Sequence, residues 1–183
     1  MPRKKYNTVI ADPPWPGQGG EKHYLTLRVS TLVEMGEDIN DLLEDDAHCW
    51  IWCTNGTILA AHRLLEAWGF EYRSMLTWIK PRLGVGSYLR NMSEHVLLGT
   101  RGNAPVRFRA QGTWLFAPVQ EHSHKPEEFH DIVRRVSPGP HYLELFARRP
   151  FPGFDVWGNE VASDVTLPHW PVPSDAPDAE AKK

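Results

Sequence analysis

Asp12 is the residue whose surroundings point most directly to chemistry. It closes the apolar run "NTVIA" and is followed at once by Pro13, Pro14 and Trp15. The prolines fix their own φ angles, donate no backbone N–H and restrict the residues before them, so their carbonyls are stiffly held acceptors beside a carboxylate. Trp15 adds a flat apolar face. Such a socket suits a planar heterocycle bearing an amino group. The Asp12 carboxylate and the Pro13 carbonyl can accept the two amine hydrogens and favour the geometry in which the nitrogen lone pair faces an electrophile. An aspartate before proline also serves as an ordinary helix N-cap, and "DPP" alone does not separate the two readings. The tryptophan that follows favours the socket.

The elements around this stretch must place it where a ligand can reach. Five short runs, rich in β-branched or aromatic residues and bounded by polar residues, Gly or Pro, predict core strands: "YNTVIA" (6–11), "HCWIWCT" (48–54), "SMLTWIK" (74–80), "HVLLGT" (95–100) and "HYLELFA" (141–147). Helices are predicted over 56–69, which stops at Gly69, and over 125–139, with Pro126 near its start and arginines in its last turn. The segment 30–44 is a further helix candidate with Gly36 inside it. This alternation argues for an α/β sheet covered by helices, and in an open α/β sheet ligands sit beyond the carboxyl ends of the strands, where Asp12 falls. The long Gly- and Pro-rich stretches 16–29 and 81–93 are expected to be binding loops.

The 183 residues, 41% hydrophobic, suffice for a single domain, expected over 1–161. The Pro-, Asp- and Ala-rich stretch 162–183 reads as a disordered tail. No apolar run approaches the roughly 20 residues of a membrane span, and "MPRKKYN" has no apolar signal core behind it, so a cytoplasmic protein with no membrane partner is expected. Cys49 and Cys53 lie four apart on one expected strand, too far apart to bridge, and read as inert core thiols. No metal site is expected.

Beyond Asp12, a series of motifs follows in a definite order: "HYLTL" (23–27), "WIWCTN" (50–55), "WIKP" (78–81), "RNMSEHVLLGTRG" (90–102), "HSHKP" (122–126) and "ELFARRPFPGFDVWGNE" (144–160). With "DPPW" at 12–15, this order resembles the DPPW-type N6-adenine methyltransferases, the family of the catalytic subunit of the mRNA N6-adenosine methyltransferase, over about residues 6 to 161. The resemblance implies a Rossmann-like, S-adenosyl-L-methionine-dependent fold in the permuted beta-class order, with the catalytic strand ahead of the one that cradles the cofactor. "ELFAR" stands in the place of the glycine-rich cofactor motif. By resemblance, Asp12, Pro13, Pro14 and Trp15 are catalytic. Asp12 meets both the methionine end of the cofactor and the target amine, Lys125 reaches the methionine carboxylate, and Phe146, Arg148, Asn159 and Glu160 complete the cofactor site. Trp15, Tyr24, Arg90, Asn91 and Glu94 are implied to bind substrate. The alternatives are a solvated helix start for Lys125 and an ordinary turn for Asn159 and Glu160. Two residues depart from the pattern: Leu27 replaces a methionine of the family's loop, and Glu160 stands where some relatives have glutamine.

The net charge of −3 gives no global sign of a nucleic-acid partner. Basic residues do gather at "PRKK" (2–5) and "RGNAPVRFR" (101–109), with Arg82 and Arg90 in the second long loop; they read as phosphate contacts or as ordinary surface charge. A methylated adenine must leave its stack, so a flipped base or a single strand is implied. No separate recognition domain is visible, and a stand-alone enzyme of bacterial or phage type acting on DNA is favoured over one acting on RNA. A catalytically silent nucleic-acid-binding scaffold of the same fold is the reading of a different class, against which the intact "DPPW", Lys125 and "GNE" speak. Monomer and homodimer both stay open.

Overall fold

The computed structural model describes residues 4–17, 26–86, 88–119 and 124–175. Seven strands form one sheet: β1 (Tyr6–Ala11), β2 (Leu43–Cys53), β3 (Glu71–Ile79), β4 (Ser93–Arg101), β5 (Trp114–Phe116), β6 (Tyr142–Leu145) and β7 (Asp155–Trp157), in the order β5-β3-β4-β2-β1-β6-β7. β4 pairs antiparallel with both β2 and β3, while every other pairing is parallel. The sheet is therefore mixed, with one reversed strand. The start of β4 consequently lies beside the ends of β2 and β3, with His95 opposite Cys53 and Ser93 opposite Ile79. One rim of the sheet thus gathers the ends of six strands and the beginning of the seventh.

The five expected strands are present, and β5 and β7, at three residues each, are the additions. Four helices lie among the strands: α1 (Val29–Glu34), α2 (Gly36–Asp41), α3 (Ile58–Ala67) and α4 (Glu127–Val136). The helix expected over 30–44 is broken into α1 and α2 at Met35. A Cβ on Gly36 would lie 2.8 Å from the Trp68 ring, and the Trp68 indole N–H donates to the Leu32 carbonyl (2.9 Å). Glycine at that step lets the two short helices close on Trp68. α3 ends as its sequence predicts. Gly69 has φ 80°, and Phe70 N–H bonds the Leu65 carbonyl, a Schellman-type closure.

Alternation along the strands divides the core. Cys49, Ile51, Cys53, Leu97 and Leu143 face α1, α2 and α3, whereas Trp50, Trp52, Leu76, Trp78, Val96 and Phe129 pack on the α4 side. Both cysteines are buried and free. Burial pushes both thiols up, that of Cys53 to about 12, as inert core residues require.

The stretch 162–175 is not the disordered tail its composition suggests. Leu167 and Val172 are buried in the α1–α3 core, and Trp170 packs against it. His169 Nδ1 lies 2.8 Å from Asp38 Oδ1, its backbone N–H bonds Asp38 Oδ2, and a short 3₁₀ turn spans Pro173–Asp175. Single apolar residues among prolines carry no period, so composition hides a segment that packs as a strap. No helix among the described residues is long and apolar enough to cross a membrane.

Candidate functional site

Four charged side chains alternate in sign at the strand-end rim. Asp12 leaves β1, Lys80 leaves β3, Glu94 opens β4 and Lys125 precedes α4. Lys125 Nζ lies 2.8 Å from Asp12 Oδ2 and 3.3 Å from Glu94 Oε2, and Lys80 Nζ bonds the other Glu94 oxygen. The two ammoniums stand over tryptophan faces of the α4-side core, Lys125 at 5.1 Å from the Trp52 ring and Lys80 at 4.4 Å from the Trp78 ring. Those faces attract cations and keep water from beneath the network.

The four charges sum to zero but are not equivalent. Burial raises the Asp12 pKa above the usual carboxylate value, against the opposing pull of Lys125. Glu94 is held below its usual value because Lys125 and Lys80 together outweigh its desolvation. Lys125, between two carboxylates, is raised despite its burial and stays an ammonium. Asp12 keeps the largest exposed share of the three, 30% of its side chain against 17% for Lys125 and 20% for Glu94. It is the carboxylate that faces outward.

The Asp12 stretch does not start a helix, because residues 13–17 are not helical; Asp12 is no N-cap. Trp15 N–H bonds the Pro13 carbonyl (2.8 Å), a three-residue turn, and Leu27 N–H bonds the Pro14 carbonyl (2.9 Å). Among the described residues each proline carbonyl thus accepts one backbone hydrogen bond, and a carbonyl oxygen can accept two. The expected stacking role of Trp15 does not match its placement. The ring is 3% exposed within the core, and its N–H donates to the Trp52 carbonyl (2.9 Å), so Trp15 anchors the turn to β2.

The remaining site residues fall in three places. Phe146, Arg148, Asn159 and Glu160 lie at the same rim beyond β6 and β7. Phe146 has φ 63°, the left-handed region that non-glycine residues rarely enter, and packs against Trp157. Arg148 Nε lies 3.6 Å from Glu160 Oε1 and also helps hold down the Asp12 pKa, so it bridges the two ends of the group; Asn159 is exposed. Asn91 is tied in through a relay. Asn55 Nδ2 donates to Asn91 Oδ1 (3.0 Å), and Asn55 Oδ1 meets His95 Nε2 (2.7 Å), whose Nδ1 meets Thr77 Oγ1 (3.1 Å). Burial lowers the His95 pKa, which matches a neutral ring donating from Nε2. Arg90, by contrast, is exposed and turns back onto the Gly84 carbonyl. Tyr24 lies outside the described residues.

Sequence reasoning assigned no role to Lys80, Asn55 or His95. Lys80 had a signal: like Asp12 and Lys125, it is a charged residue immediately before a proline. Among the described residues no group of histidines, cysteines and carboxylates is arranged to hold a metal.

The MT-A70 family model matches residues 6–160 of the chain. The chain belongs to the MT-A70 family. Its seven-stranded sheet is that family's Rossmann-like methyltransferase fold, and the resemblance read from the motifs is to the same family. The chain is 29% identical to the type II methyltransferase M.MunI of a Mycoplasma species, over 88% of this chain and 80% of that protein. It is 33% identical to the human N(6)-adenosine-methyltransferase catalytic subunit METTL3 over 79% of this chain, and 33% identical to an MT-A70-like N(6)-adenosine-methyltransferase of Drosophila melanogaster over the same share. It spans only 26% and 24% of those two longer proteins.

Proposed function

We propose that this MT-A70 chain transfers a methyl group from S-adenosyl-L-methionine to the N6 amine of adenine in nucleic acid. The observation that carries this reading is Asp12: a desolvated carboxylate at a strand end, next to a stiffly held proline carbonyl and paired to a buried lysine. An adenine amine is a weak nucleophile because its lone pair is delocalised into the ring. Asp12 and the Pro13 carbonyl are two acceptors for its hydrogens, and a carboxylate held outward in a low-dielectric rim polarises the N–H bonds more than it would in water. The amine proton released as the N–C bond forms needs an acceptor, and its raised pKa suits the Asp12 carboxylate to take it.

The donor set at the rim fits S-adenosyl-L-methionine. When bound, the cofactor supplies an electrophilic methyl on a sulfonium. Lys125 offers a cation to its carboxylate, Asp12 an anion to its ammonium, and Glu160 and Asn159 offer polar groups to ribose hydroxyls. Phe146, in its strained turn, gives an apolar wall. Arg148, Glu94 and Asn91 complete the charged and polar surround, with Glu94 and Asn91 on the substrate side.

DNA is the favoured substrate. The support is the similarity to the type II methyltransferase M.MunI, which extends over 88% of this chain and 80% of that protein. The test is incubation with labelled S-adenosyl-L-methionine and matched single-stranded DNA, double-stranded DNA and RNA, followed by digestion to nucleosides. Label in N6-methyldeoxyadenosine is expected. Label only in N6-methyladenosine would move the substrate to RNA, and label in neither would remove the reading.

A further inference from the structure

A second cavity, of about 610 Å³, lies on the α4 side of the sheet, away from the charged rim. Its floor is Trp50, Leu76 and Leu98 with Val136 from the end of α4, and its wall is the segment 106–113. The wall is braced from α4. Arg107 N–H bonds the Val136 carbonyl (2.8 Å), the Arg135 guanidinium lies over the Phe108 ring at 5.3 Å, and it bonds the Gln111 side chain. The cavity is thus built into the fold. Its mouth carries two arginines. Arg73 is engaged by Thr100 (2.8 Å) and Glu71 (2.8 Å), whereas Arg109 makes no hydrogen bond or ion pair with the described residues. Ser74, Thr113 and Gln111 place polar groups between the apolar floor and these cations.

An apolar and aromatic slot with hydrogen-bonding groups at mid-depth and a free guanidinium at the mouth has the chemistry of a nucleotide receptor. The base takes the floor and the phosphate takes the arginine. We infer that this cavity holds an unpaired nucleotide of the substrate strand, flanking the adenine at the rim, with its base against Phe108 and its phosphate on Arg109. Geometry favours a strand over a free nucleotide. Leu76 in the floor and Lys80 at the rim are four residues apart on and just beyond β3, about 13 Å along an extended strand, a span that a few nucleotides cover. Arg107 and Arg135 add positive charge beside the path.

This inference rests on the nucleic-acid reading above, and the test separates the two. Single-stranded oligonucleotides carrying a photoreactive halogenated pyrimidine a few positions from the adenine are crosslinked to the whole chain, and the modified peptides are mapped. Crosslinks on the peptide of Phe108 are expected, and Ser74→Trp, which fills the slot, should abolish them. Arg109→Ala should weaken binding of a long strand roughly tenfold, the size of one lost base or phosphate contact, while leaving a trinucleotide centred on adenine unaffected. Crosslinks confined to other surfaces, or identical length dependence in the parent and both variants, would overturn the inference. So would adenosine monophosphate competing as well as the strand does. A chain that transfers no methyl group would overturn the proposed function, while the crosslink map, which needs no turnover, would still decide the cavity.

Discussion

Asp12 and Glu94 share one lysine and are shifted in opposite directions, and that asymmetry is testable by pH. A carboxylate raised in the folded state, such as Asp12, penalises folding above its ordinary pKa, and the penalty is relieved as pH falls through the raised value. Glu94 is the reverse: its stabilisation is present above the ordinary value and lost as pH falls through the lowered one. Methyl transfer should therefore fade on acidification at a higher pH than the fold does. A kcat/KM profile beside thermal melts over the same range checks this, and coincident transitions would contradict it. Lys125→Met should move the acid limb further up, because it removes the chief influence opposing Asp12's desolvation. The same lysine, truncated to alanine, should weaken S-adenosyl-L-methionine binding by about 1.5–3 kcal/mol, the worth of a hydrogen bond to a charged group. Calorimetric titration measures it. Asp12 was legible because a proline follows and ends the element there, and Lys125 through the "HSHKP" motif, in which a proline also follows. Lys80 follows the same grammar and went unassigned. The Asn91–Asn55–His95–Thr77 relay was not legible as a unit, although Asn91 was named, because its members come from three segments that only the sheet brings together.

At the scale of elements, the reversed strand β4 makes the network possible. Read in the parallel sense, Glu94 would sit at the opposite end of the sheet from Asp12; antiparallel pairing with β2 and β3 returns it to the rim. Strand direction is set by which edges are free when the segment docks, so the apolar run of β4 identified a strand without its orientation. β5 and β7 escaped notice for a simpler reason, since three residues are too few to establish a period. The β6 and β7 ends meet closely. A Cβ on Gly158 would lie 2.1 Å from the Ala147 carbonyl, and Ala147 N–H bonds the Trp157 carbonyl (3.0 Å) across the same step. Gly158→Ala must therefore push two backbones apart, and a loss of about 1–3 kcal/mol or more is expected from overpacking. Because Phe146 and Arg148 lie just beyond that contact, cofactor affinity should fall with stability. Denaturant melts and calorimetry on the same variant check both.

Across the whole molecule, the strap at 162–175 extends the folded unit beyond the 6–160 span that the family model matches. Leu167 is fully buried, so Leu167→Ala should cost about 2–5 kcal/mol, read from chemical melts, with methyl transfer by the surviving folded fraction unchanged. An unaltered midpoint would mean that the strap adds nothing to the core. The α/β class and the position of Asp12 at a strand end were both readable from apolar periodicity and breaker residues. The strap was not, because its burial depends on a groove built by distant helices.

The central claim is that the outward carboxylate of Asp12 prepares an adenine amine for methyl transfer, and single-turnover transfer to an adenine oligonucleotide tests it most directly. Asp12→Ala and Asp12→Asn are compared with the parent after each is shown to melt as a folded protein. The alanine variant should form no detectable N6-methyladenine, and the asparagine variant, which keeps one acceptor but loses the charge, should be severely slowed. Parental rates from folded Asp12→Ala protein would contradict the account.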